Sequence, residues 1–252
     1  MKSKLFVISV VIAFLAMGAE AQGQRLTLIK KHPNVGAGWA ARFGLTGANK
    51  PDCWYCRLRE DVKVTNLQRT DHTANLKLEI SEETADGYFG LYRLPLGADD
   101  YQFWAVTYDK NGNVLKEWDL CEKTKRYDLE LQDIRYEAGK FYFNMACPTY
   151  SSGYNGKCSA LYCMDAESGE VEWVTDFLVS NDVLIVYKNY IVCGYGFTDE
   201  KDYVYLIDKK NGNMLSKVLV ASSPQYIEEK DGKIYVMDYR ESMYVFKITE
   251  EK

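Results

Sequence analysis

The chain has 252 residues, 47% of them hydrophobic and 27% charged, and its 31 Lys and Arg against 36 Asp and Glu leave a net charge of −5. So mildly acidic a chain lacks the cationic footprint that phosphate backbones and anionic headgroups require, which excludes nucleic acid and a charged membrane surface as expected partners. The length suits one large all-β domain or two small ones.

In chain order, Lys2 and Lys4 precede the apolar run Leu5 to Met17, and Ala19-Glu20-Ala21 offers a small-residue cleavage site. Residues 1–21 therefore read as a signal peptide. The run is shorter than the ~20 residues of a spanning helix, and no cysteine stands at the cleavage point. The expected mature chain, 22–252, is soluble, exported to the periplasm or beyond, and free of a lipid anchor. Losing Lys2, Lys4 and Glu20 takes its charge to −6.

"QRLTLIKK" (24–31) reads as a strand, and 34–70 as a degenerate unit with "CWYCRLRE" and "VKVTNLQ" as its strands. From residue 73 the pattern becomes regular. "TANLKLEI", "YFGLYRLP", "YQFWAVTYD" and "VLKEWDL" supply four strands, here termed a to d. "LQDIRYEAGKFYFNMAC", "DVLIVYKNYIVCGYG" and "QYIEEKDGKIYVMDY" each read as strand, tight turn, strand, the turns lying at Ala138-Gly139, Lys188-Asn189 and Asp231-Gly232.

Three segments repeat the c–d hairpin: "FWAVTYDKNGNVLKEW", "ALYCMDAESGEVEW" and "YVYLIDKKNGNMLSKV". Each closes a strand with Asp (Asp109, Asp165, Asp208), places Gly three or four residues on (Gly112, Gly169, Gly212), then starts another strand. The Asp accepts backbone N–H bonds at the turn, and Asn-Gly tolerates the positive φ of a short hairpin. The Asp residues recur after 56 and then 43 residues, and "MYVFKITEEK" (243–252) is a truncated fourth copy. That period with several strands per unit predicts an all-β chain, a β-propeller of about five four-stranded blades, with four to six possible. Its last unit lacks strand d, so 24–31 is the expected donor that seals the ring. The expected layout is a single propeller domain over 22–252, with 22–72 a degenerate blade plus closing strand and 73–252 regular.

"LYCMDAESGEVEW" resembles the repeat of PQQ-like β-propellers at Asp165, Gly169 and Trp173. Asp208 and Gly212 agree, Ser216 stands at the Trp position, and Trp118 lies two residues beyond Lys116, on the same strand face. The resemblance covers 73–252 and implies a propeller whose nearest analogy is the BamB-like assembly scaffolds. It does not imply the quinone cofactor, because the chain has no adjacent cysteine pair and is too short; no cofactor is expected.

Seven cysteines in an exported chain point to disulfides, with at least one thiol left over. Cys147–Cys158 would close a hairpin loop; Cys53 and Cys56 lie on turn and strand residues, where a structural disulfide or inert thiols fit better than redox cycling. His32 and His72 are the only histidines and read as surface residues; no catalytic or metal set emerges. Binding is expected on the long b–c loops, "LPLGADD", "CPTYSSGYNGKC" and "GYGFTDEKD". Their candidates are Asp99, Asp100, Tyr150, Tyr154, Tyr195, Phe197, Asp199 and Asp202. The leading expectation is a non-enzymatic binder of a protein, peptide or glycan. The alternatives are a hydrolase or lyase using carboxylates at the channel mouth, and a small-molecule or metal-binding sensor.

Overall fold

The computed structural model describes residues 23–47, 61–94, 102–197 and 199–250. The expected signal peptide, "CWYCRLRE" with Cys53 and Cys56, and Asp99 and Asp100 lie outside them. Among the described residues, no helix is long and apolar enough to cross a membrane.

The chain is an all-β propeller, and the described residues form four sheets. Blade 1 comprises β3 (Lys77–Glu83), β4 (Tyr88–Arg93), β5 (Phe103–Tyr108) and β6 (Val114–Asp119). Blade 2 comprises β7 (Glu130–Glu137), β8 (Lys140–Ala146), β9 (Ala160–Asp165) and β10 (Val171–Val174). Blade 3 comprises β11 (Asn181–Tyr187), β12 (Tyr190–Tyr195), β13 (Tyr203–Asp208) and β14 (Met214–Leu219). Blade 4 comprises β15 (Pro224–Lys230), β16 (Lys233–Asp238) and β17 (Met243–Glu250), completed by β1 (Gln24–His32).

The closing strand is the one its sequence marks. β1 pairs antiparallel with β17 from Gln24↔Glu250 to His32↔Met243, broken once by a register shift between Leu28 and Lys30. The four a strands share a further irregularity, each shifting register against its b strand near its start. The extra residue, two of them in blade 3, bends each a strand and sharpens its twist.

The turns repeat as their residues dictate. Ala138 and Gly139 both take positive φ, as do Asp231 and Gly232, matching two-residue hairpins. At the c–d turns, Asp109 Oδ1 accepts from the N–H groups of Asn111 and Asn113, and Asp165 Oδ1 from those of Glu167 and Ser168. Only the glycines there adopt positive φ: the turns are one residue (Asn111) and two residues (Asn211) longer than an Asn-Gly hairpin, so both asparagines keep ordinary backbone angles.

Neighbouring blades interlock through these turns. A side chain on Gly169 would meet the Trp118 ring at 2.7 Å, and one on Gly212 the Trp173 ring at 2.6 Å. Each Trp on a d strand thus lies over the turn glycine of the following blade. In blade 3, Ser216 takes the Trp position, and its Oγ accepts from Leu26 N–H of the closing strand at 2.8 Å.

Residues 33–76 interrupt the regularity. Helix α1 (Trp39–Phe43), Val35 and Leu45 pack on one face of blade 4 with Tyr226, Met237 and Met243. Leu67 and Leu76 pack on one face of blade 1 with Tyr92, Val106 and Tyr108. The expected strand over "VKVTNLQ" shrinks to β2 (Asp61–Val62), parallel to β3. Its polar backbone is satisfied otherwise: Ser81 Oγ accepts from Val64 N–H at 2.8 Å and donates to Val64 O at 2.7 Å. Gln68 N–H donates to Gly112 O at 2.9 Å, so this segment meets the first turn glycine as a preceding blade would.

Candidate binding face

Antiparallel blades send the b–c and d–a connections to one face, and two b–c loops build the centre of the candidate site. The blade 2 loop leaves β8 at Cys147 and returns at Cys158; a disulfide joins them with Cα atoms 5.3 Å apart, inside the usual bridging range. Within this loop a 3₁₀ turn spans Ser151–Tyr154. The blade 3 loop runs from Gly196 to Asp202.

One carboxylate ties the loops together. Glu200 Oε1 accepts from Ser151 N–H and Ser151 Oγ, each at 2.9 Å, and Glu200 Oε2 accepts from Tyr195 OH. Above this tie the Tyr150 and Phe197 rings lie 5.7 Å apart, and Phe197 meets Tyr195 edge-on at 5.9 Å. Tyr195 and Phe197 are buried, so Tyr150 is the ring this trio offers to solvent.

The remaining predicted residues lie elsewhere. Half-buried Tyr154 lies near Asp128, Glu130 and Arg126; burial first, then the two acids, raises its pKa. Asp199 is exposed on the blade 3 loop. Asp202 faces the other way: Tyr203 and Tyr205 pack toward blade 2, while Val204 and Leu206 pack toward blade 4, the side that Asp202 shares. Its carboxylate lies against Gly196, where a Cβ would fall 1.9 Å from Asp202 Oδ1. That oxygen is buried and accepts no hydrogen bond. Burial raises the Asp202 pKa to about 6, helped by Asp238 and Glu200 and opposed by Arg240. Thus Tyr150, Tyr195 and Phe197 gather between blades 2 and 3, Tyr154 lies apart from them, and Asp202 sits between blades 3 and 4.

Several residues of this face escaped sequence reasoning. Tyr127 and Phe177 are exposed on d–a connections, and Tyr239 on the blade 4 b–c turn. Aromatic content of the short connections was the available signal. Ser151 and Glu200, 49 residues apart, carried none.

The other chemistry is quiet. Burial pushes Cys121, Cys163 and Cys193 each up to about 12, which leaves little thiolate at neutral pH. His72 stacks on Trp104 and meets Glu117 Oε1 at 2.8 Å. Among the described residues no three His, Cys, Asp or Glu side chains converge as metal ligands. On the opposite face a cleft of about 890 Å³ opens between blades 2 and 3, lined by Lys140, Tyr142, Glu172, Tyr190 and Lys209 among others. Two of its lysines pair, Lys209 with Glu137 at 2.5 Å and Lys140 with Glu172.

No family model and no curated relative matches the chain. Among solved structures, the computationally designed Ika4 protein is similar at 13% identity and TM-score 0.48, over 75% of this chain and 100% of that one. The WD40 β-propeller domain of Doa1 follows at 15% and 0.44, over 68% of this chain and 51% of that one. A quinohemoprotein alcohol dehydrogenase, ADHIIG from Pseudomonas putida HK5, follows at 14% and 0.43, over 72% of this chain and 32% of that one. The chain therefore spans about half of the Doa1 structure and a third of the dehydrogenase.

Proposed function

We propose that the chain is an exported, non-enzymatic propeller of the PQQ-like repeat type that binds a protein, peptide or glycan through its b–c loop face. The observation that carries this reading is the Glu200 tie, which holds Tyr150 and its supporting ring Phe197 on two loops anchored in separate blades. A preorganised aromatic surface loses little conformational entropy on binding, and Tyr127, Phe177 and Tyr239 are exposed on other connections of the same face. The signal-like residues 1–21 support export, and a disulfide at Cys147–Cys158 is compatible with an oxidising compartment. The hydrolase or lyase reading needs converging carboxylates at the channel mouth; Asp199 is exposed, whereas Asp202 is buried against Gly196.

The test is a triple variant, Tyr150→Ala, Phe177→Ala and Tyr239→Ala, each at an exposed position. A partner recovered from the native exported fraction should bind it at least about 10-fold more weakly, as loss of interface aromatics generally produces. Undiminished affinity in a folded triple variant would remove the loop face from the function.

A further inference from the structure

The seam between blades 3 and 4 holds a carboxylate with an open acceptor. Asp202 is 9% exposed, and its Oδ1 is buried without a hydrogen bond. Such an oxygen is costly to leave unmatched. Its surroundings are built to keep it there: Gly196 supplies the space, and any side chain at 196 would collide with it. Glu200 from the same loop and Asp238 from β16 add negative charge, and Arg240 on the β16–β17 turn is the cation that faces them. Arg240 is exposed and forms no ion pair with Asp202; its backbone N–H donates to Ser222 Oγ at 2.9 Å. Asp238 is itself satisfied by Ser242 N–H and Tyr244 OH. The unmet demand at this seam is therefore for one hydrogen-bond donor, and the negative charge of Glu200 and Asp238 favours a cationic one.

Resting on the loop-face reading above, we propose that this face recognises a basic side chain, the guanidinium or ammonium of an Arg or Lys in a peptide or protein partner, which pairs with Asp202 while its stem lies against the aromatic surface. An organic cation fits better than a metal ion. A hard cation takes several oxygens at once, whereas a guanidinium satisfies one carboxylate and stacks its plane on tyrosine. Tyr239 is exposed on the same turn as Arg240, and Tyr150 on the far side of the blade 3 loop. The raised pKa of Asp202 adds a consequence: only its ionised form attracts a cation, so binding weakens as pH falls through about 6.

The experiment titrates the folded protein with triarginine amide, and with tricitrulline amide as the uncharged counterpart, by calorimetry at pH 7.5 and pH 5.0. Triarginine should bind at pH 7.5 and lose at least about 10-fold at pH 5.0 and in Asp202→Asn, with tricitrulline no better than the variant. Asp202→Asn keeps the side-chain shape and removes a buried charge, so it retains the fold. Equal binding by wild type and Asp202→Asn, or none by wild type, would overturn the proposal. If Tyr150→Ala loses binding and Asp202→Asn retains it, the face stands and the cation assignment falls. The reverse pattern upholds Asp202 and removes the aromatic surface. Should Arg240→Gln, unlike Asp202→Asn, lower stability while triarginine fails to bind, Arg240 is the cation that Asp202 serves, and the proposal also fails.

Discussion

At Asp202 the carboxylate meets Gly196 in place of water, and burial, as the first cause, raises its pKa to about 6. The folded chain therefore holds this proton more tightly than the unfolded chain, whose Asp titrates near 3.8. Its stabilising contribution is fully present below the unfolded value and is lost as pH rises through the folded one. Asp202→Asn escapes that loss. At pH 7.5 the variant should be more stable by about 1–2 kcal/mol, seen as a Tm higher by roughly 2–6 °C. The advantage should shrink steadily between pH 6 and pH 4. Thermal melts of both proteins across that range decide it; a difference independent of pH would show that Asp202 is not a strained buried acid.

At the scale of elements, the Trp-over-glycine contacts join the blades unequally. Trp118 Nε1 donates to Ala166 O of blade 2 at 2.9 Å, whereas Trp173 Nε1 is buried without an acceptor. Trp118→Phe therefore removes a made hydrogen bond, and Trp173→Phe removes an unmet donor. The first should cost about 1 kcal/mol more than the second in urea unfolding, with equal or reversed costs counting against this account of the seams. The Asp–Gly turns were legible in sequence because their chemistry is local, an acceptor beside free N–H groups and a residue that tolerates positive φ, whereas the two Trp positions stood out only through the repeat resemblance. The closing strand was legible too, since the last unit lacked a partner. The site was legible only in part. Period-two alternation puts Tyr203 and Asp202 on opposite faces, yet which face meets which blade depends on packing. The Ser151–Glu200 bond joins positions 49 apart and leaves no periodic trace. "VKVTNLQ" reads as a strand of the degenerate unit, but Ser81 Oγ engages both backbone groups of Val64 and the Gln68 N–H goes to Gly112 O, so little of that backbone is left to pair in a sheet.

For the whole molecule, stability hinges on the ring being shut. β1 covers the exposed edge of β17, and Leu26 joins the apolar core shared by blades 3 and 4. Deleting residues 23–32 should remove much of a net stability of about 5–15 kcal/mol and leave a strand edge that drives association. Size-exclusion chromatography and urea titration would report this; a monomeric deletion variant with an unchanged midpoint would show that closure is dispensable. The pairing of Gln24 with Glu250 also sets an order of events. The ribosome makes β1 some 210 residues before its partner β17, a delay of roughly 10–40 s at ordinary synthesis rates. Throughout that interval the early strand has no place to settle, and a nascent chain cut short has none ever. Sealing thus waits on the arrival of β17: copies cut short before it keep two raw strand edges, which proteases and chaperones are equipped to find.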